Sequence, residues 1–162
     1  MMAADDKGRP DEGDMIPDVA METPEGGEVQ PSDFRGQKLV LFFYPKDNTP
    51  GCTTENKDFS ALKGDFDEAG VALLGVSKDS AKKHQNFIAK HDLKVPLATD
   101  PEEDGLAEAL GVWVEKQMYG KTYWGLERST FLVDAEGKIA QVWRKVKVKG
   151  HAEEVLAAAK AL

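Results

Sequence analysis

The run Lys38-Leu39-Val40-Leu41-Phe42-Phe43-Tyr44 constrains the fold of this 162-residue chain more than any other stretch. It is continuously apolar and aromatic, with Gly36 before it and Pro45 closing it. A strand with no polar alternation has to be covered on both faces. Val71-Ala72-Leu73-Leu74-Gly75-Val76-Ser77 is a second run of the same kind. Between them Phe59, Leu62, Phe66 and Ala69 recur at intervals of three, four and three, which places them on one face of a helix beginning near Cys52. Strand, helix, strand in this order is a right-handed crossover joining two parallel strands.

The remaining elements complete a layered domain. An amphipathic helix is expected from an N-cap at Ser80 through Phe87 and Ile88 to about His91, and a shorter one around Leu106 and Leu110. Ser129 to Val133 and Lys138 to Trp143 read as strands joined by Asp134-Ala135-Glu136-Gly137, a hairpin turn with a glycine available for positive φ. Glu153 to Leu162, rich in alanine, closes the chain as a helix. Upstream, Asp18 to Glu22 and Gly27 to Gln30 flank Thr23-Pro24-Glu25-Gly26 as a short N-terminal β-hairpin. The sum is an α/β fold, a three-layer sandwich around a mixed central sheet, compatible with a thioredoxin-like arrangement.

Charge and composition narrow the partners. The formal charge of -8 opposes affinity for nucleic acid or anionic membrane surfaces. No stretch approaches the ~20 apolar residues of a spanning helix, and the start MMAADDKGRPDEGD lacks the apolar core of a signal peptide, so a cytoplasmic location is expected. Asp5, Asp6, Asp11, Glu12 and Asp14 cluster with Gly and Pro near the start. Residues 1–13 are expected to be a flexible acidic tail, and residues 14–162 one domain.

Cys52 is the only cysteine, so no internal disulfide is available. A free cysteine is often packing filler. Here it follows a loop that leaves a central strand and opens a helix, the place where ligands meet open α/β sheets. Unpaired N–H groups and the helix dipole there favour the thiolate, and Pro50 and Gly51 leave little bulk to bury it. Counting removes competing chemistries. A dithiol oxidoreductase needs a second nearby cysteine, and a cysteine phosphatase would want arginine where Asp58 stands. A zinc site needs more ligands than Cys52, His84, His91 and His151 supply at any recognisable spacing, so no metal or cofactor is expected. His84 and His91 read as solvent-facing helix residues. A Cys–His hydrolase stays open, although no pattern marks a histidine as its base.

Pro45-x-x-x-Thr49-x-x-Cys52 resembles the signature of the peroxiredoxins, thiol-dependent peroxidases. FYPKDNTPGCTTE together with KTYWGLERSTFLVDAEGKI, from Lys121 to Ile139, resembles their bacterioferritin comigratory protein branch, also called peroxiredoxin Q. The resemblance runs from about Gly13 to Leu162 and implies a thioredoxin fold. It implies that Cys52 is the peroxidatic nucleophile, Thr49 the hydroxyl that binds peroxide, Pro45 the shield over the site and Arg128 its cation. Glu55, three residues after Cys52 and on nearly the same helix face, would orient Arg128. Glu127, next to that arginine, reads as an exposed charge pointing the other way.

The chain departs from the branch in one respect. Many members carry a resolving cysteine five residues after the first, where this chain has Lys57; others carry it in the next helix, yet residues 81–93 hold none. The expected activity is therefore reduction of hydrogen peroxide and organic hydroperoxides through a Cys52 sulfenic acid that an external thiol resolves, the thiol coming from a thioredoxin, glutaredoxin or glutathione system. The expected state is a monomer. The alternatives are a peroxide-sensing switch or interaction protein using the same cysteine, and a structural module in which Cys52 is buried and inert.

Overall fold

The structure, a computed structural model, describes residues 9–162. Its main sheet has seven strands in the order β2-β1-β5-β4-β3-β8-β9. They are β1 (Met21–Glu22), β2 (Glu28–Val29), β3 (Lys38–Phe43), β4 (Val71–Ser77), β5 (Leu97–Thr99), β8 (Ser129–Val133) and β9 (Ile139–Trp143). β3, β4 and β5 are mutually parallel, while β8, β9 and the β1–β2 hairpin run antiparallel to their neighbours. The mixed sheet and the N-terminal hairpin are thus as expected.

Strand β3 shows why the apolar run had to be central. Val40, Phe42 and Tyr44 enter one core with Phe59, Phe66, Phe87 and Val155. Leu39, Leu41 and Phe43 enter the other with Leu106, Leu110, Val112 and Phe131. The two-residue period sends successive side chains to opposite faces, so both layers of helices draw on one strand. The first layer holds α1 (Pro50–Ala61), α2 (Lys63–Glu68), α3 (Ala81–His91) and α5 (His151–Ala161); the second holds α4 (Leu106–Ala109). Phe42 stacks on Phe59 with ring centroids 4.4 Å apart, pinning α1 to the sheet.

Three details differ from the sequence reading. The single helix expected after Cys52 breaks at Leu62, where φ is -97° and ψ 2°, although Phe59 and Phe66 still share one core. Strand β5 is only three residues long and follows Pro96, too short for a periodic signal. A hairpin of β6 (Trp113–Met118) and β7 (Lys121–Leu126) stands apart from the main sheet. Its two-residue turn, Tyr119 and Gly120, has φ of 53° and 76°, the backbone that tight hairpins require.

At the N-terminus, residues 1–8 of the expected tail lie outside the described residues. The rest of that stretch touches the sheet edge: the Gly13 N–H donates to the Ile139 carbonyl at 2.8 Å, and the Pro10 carbonyl accepts from Arg144 at 3.3 Å. None of the helices among the described residues is long and apolar enough to cross a membrane.

Candidate active site

The loop leaving β3 begins at Pro45 and ends at Thr49, the N-cap of α1. Pro50 and Gly51 occupy the first turn, where a missing proline N–H costs nothing, and Cys52 follows. The structure corrects one expectation here: Cys52 is only 1% exposed and belongs to the apolar cluster around Phe42, Tyr44 and Phe59. Small neighbours in sequence do not keep a side chain open when a remote segment lays a long side chain over it.

That side chain is Arg128, which enters from the segment between β7 and β8. Its Nη2 donates to Cys52 Sγ at 3.2 Å and its Nη1 to Glu55 Oε1 at 2.6 Å. The two contacts match the two prongs of one planar guanidinium to positions i and i+3 of one helix face. A Cβ at Gly51 would lie 3.2 Å from Nη2, so the glycine leaves room for the arginine to pass. Burial draws the Arg128 pKa down, but Glu55 and Cys52 together hold it above its ordinary value, so the group stays charged.

Glu55 is 1% exposed, and its Oε2 has no hydrogen-bond partner among the described residues. Burial pushes its pKa up to about 7, against the opposing pull of Arg128. The upward direction is the physically sound one, because one carboxylate oxygen is left with neither water nor donor. The folded chain therefore holds this proton more tightly than the unfolded chain. The associated stability is complete below about pH 4.5 and is lost as pH rises through about 7. Between pH 5 and pH 8, Glu55→Gln should gain about 2 kcal/mol of stability relative to the parent. Urea unfolding at both pH values measures this, and parallel pH dependences in the two proteins would contradict it.

Thr49 is half-buried, and its Oγ1 donates to the Lys46 carbonyl at 2.8 Å. With its hydrogen spent on that carbonyl, the oxygen keeps lone pairs for an incoming O–H. Pro45 is exposed at the loop entrance. Asn56 donates from Nδ2 to the Cys52 carbonyl at 3.0 Å, closing the turn behind the sulfur.

The structure thus brings Cys52, Arg128 and Glu55 into direct contact, with Thr49 and Pro45 on the loop that leads to them. Two contributors were missed from sequence. Lys116, on β6, is close enough to Arg128 and Cys52 to feel their charges, and burial followed by Arg128 lowers its pKa. Its only sequence signal was a lysine in an unassigned segment. The second is His84, expected on the solvent face of its helix but 0% exposed. Helical spacing put it three residues before Phe87, a position on the buried face.

A lone cysteine in the first turn after the central strand of a thioredoxin-like sheet, spanned by an arginine, is an arrangement suited to thiol chemistry on the thioredoxin fold. Comparison with known proteins gives the family. The model of the AhpC/TSA family matches residues 13–142. Peroxiredoxin Bcp of Xanthomonas campestris is 58% identical over 126 residues, 78% of each chain. That of Bacillus subtilis is 49% identical over 144 residues, covering 89% of this chain and 91% of the relative. Among solved structures, Xanthomonas campestris peroxiredoxin Q superposes with a TM-score of 0.83 at 52% identity, covering 88% of this chain and 90% of the other. A Xylella fastidiosa PrxQ cysteine-to-serine mutant gives 0.88 at 41% identity, covering 94% and 97%. The chain belongs to the AhpC/TSA family, in the bacterioferritin comigratory protein or peroxiredoxin Q branch of the peroxiredoxins, enzymes that reduce peroxides at the expense of thiols.

Proposed function

We propose that this chain is a one-cysteine peroxidase in which Cys52 reduces hydrogen peroxide and organic hydroperoxides and an external thiol completes the cycle. The observation that carries the reading is the Arg128 fork, 3.2 Å from the only sulfur able to act as nucleophile and 2.6 Å from the carboxyl that orients it. A solved relative from Xanthomonas campestris is described through its alkyl peroxide reduction activity, which supports organic hydroperoxides as substrates here.

The Cys52 thiolate attacks one peroxide oxygen; the S–O bond forms as the O–O bond breaks. Negative charge moves from sulfur to the departing oxygen, which takes a proton and leaves as water or an alcohol. Arg128 faces the sulfur throughout and stabilises the spread charge. The Thr49 oxygen accepts the peroxide O–H and holds the substrate in line. Pro45, with no N–H, offers no competing donor at the entrance. The resulting sulfenic acid is attacked by an external thiol, giving a mixed disulfide and water; a second thiol then releases Cys52 as thiol and forms the external disulfide.

The recycling route follows from cysteine count. Xanthomonas campestris peroxiredoxin Q has been solved with serine replacing each of two different cysteines, whereas this chain has one. The protein acts as a monomer, and the reductant comes from a thioredoxin, glutaredoxin or glutathione system. Peroxide consumption followed over many turnovers with each reductant tests the proposal: sustained consumption that Cys52→Ser abolishes is expected. Consumption that stops after one equivalent with every reductant would mean a peroxide-sensing switch instead.

A further inference from the structure

The loop from Pro45 to Thr49 is exposed at Pro45, Lys46 and Asn48, yet Asp47 in its middle is buried. Both of its carboxyl oxygens are engaged. Oδ1 accepts from the Tyr44 hydroxyl at 2.6 Å, and Oδ2 lies 2.7 Å from Nδ1 of His84 on α3. The Asp47 backbone N–H donates to Asp79 Oδ2 at 2.7 Å. The other ring nitrogen of His84, Nε2, is 3.1 Å from the Ala98 carbonyl on β5.

A carbonyl oxygen only accepts, so Nε2 carries a hydrogen. Nδ1 and Asp47 Oδ2 make the second contact, between two side chains that are almost wholly shielded from water. Removing one member leaves the buried polar atoms of the other without a partner, which is costly. The same pair ties the loop to α3 and β5 at once.

What the pair holds in place is the peroxide-binding hydroxyl. One residue beyond Asp47, Asn48 has φ of 62°, the left-handed region that asparagine tolerates better than most residues. The reversal returns the chain so that the Thr49 hydroxyl reaches back to the Lys46 carbonyl while its backbone takes the N-cap position of the helix of Cys52. We propose that His84 is a positioning residue for the reaction of Cys52 with peroxide: through its buried contact with Asp47 it fixes the 46–49 loop, and so the place of the Thr49 hydroxyl. The proposal rests on the reading of Thr49 as the peroxide-binding group.

The test compares two reagents on the full chain. Iodoacetamide needs only the nucleophilic sulfur, whereas hydrogen peroxide also needs the aligned hydroxyl. His84→Gln and Asp47→Asn should each slow single-turnover oxidation of Cys52 at least tenfold while alkylation stays within about twofold of the parent. Equal slowing of both reactions, or a peroxide rate within twofold of the parent, would overturn the proposal. Tyr44→Phe, which removes one donor to Asp47 and keeps the ring, replaces either variant if it fails to fold, with the same expected pattern in smaller measure.

A double variant separates this inference from the reading beneath it. If His84 acts through Thr49, adding His84→Gln to Thr49→Val costs little beyond Thr49→Val alone. If the two slowdowns multiply, the clamp works by another route and the proposal falls, while Thr49 keeps its role. If Thr49→Val alone oxidises at the parent rate, the reading of Thr49 and the proposal fall together.

Discussion

Arg128→Met is expected to slow the single-turnover oxidation of Cys52 by hydrogen peroxide by about 10²–10³-fold, the usual loss when one preorganised donor is removed from a developing charge. Methionine keeps much of the apolar stem and supplies no donor, so the 3.2 Å contact to sulfur disappears. The size of the loss discriminates between two roles. A thiol with an ordinary pKa near 8.5 is a few per cent ionised at pH 7, so a change in thiolate fraction alone accounts for at most about thirtyfold, or ~2 kcal/mol. A larger loss requires that Arg128 act on the reacting oxygens as well. Stability should change less, because the pKa of Glu55, raised to about 7 even with Arg128 pulling it down, rises further without that partner, and the group takes up a proton in mildly acidic buffer. Stopped-flow oxidation and urea unfolding at pH 6 measure both quantities. Oxidation within tenfold of the parent would remove Arg128 from the chemistry.

One equivalent of peroxide should convert Cys52 to a sulfenic acid that persists long enough for a trapping reagent to capture nearly all of it. No second thiol in the chain can condense with it. Two copies are also poorly placed to resolve each other, since Cys52 is 1% exposed beneath Arg128 and two such sulfurs cannot meet without opening the first turn of α1. Intact mass should show one added oxygen, or the trapped adduct, and excess peroxide should add a second oxygen to give the sulfinic acid. Addition of an external thiol before the excess should prevent that second step. Rapid appearance of a disulfide-linked dimer would overturn both the external resolution and the monomer.

Much of the site was legible before the structure because its parts are local. Thr49, Cys52 and Glu55 lie within one loop and one helix turn, and the i, i+3 spacing alone aligns the thiol with the carboxyl. The burial of Cys52 was not legible. It comes from Arg128, 76 positions away, and from the cluster around Phe42 and Phe59. His84 failed for the same reason: its helix was recognised, but its polar partners are Asp47 on one loop and Ala98 on a three-residue strand without a sequence signal. The β6–β7 hairpin escaped because its strands are half-exposed and carry mixed charges, so neither face shows an apolar period.

By itself the sequence determined that Lys38 to Tyr44 would be a strand covered on both faces, that a helix would follow it, and that the one thiol would sit at the start of that helix. Each of these follows from side-chain period and from the backbone limits of Pro and Gly, which act over a few residues. Only the tertiary structure decided that the thiol is covered, that one guanidinium joins Cys52 to Glu55, and that a buried histidine holds the Asp47 loop. Those pairings exist because parallel β3, β4 and β5 and antiparallel β8 bring remote segments to the same end of one sheet. Contacts between remote segments depend on strand order and register, which no local pattern of residues encodes.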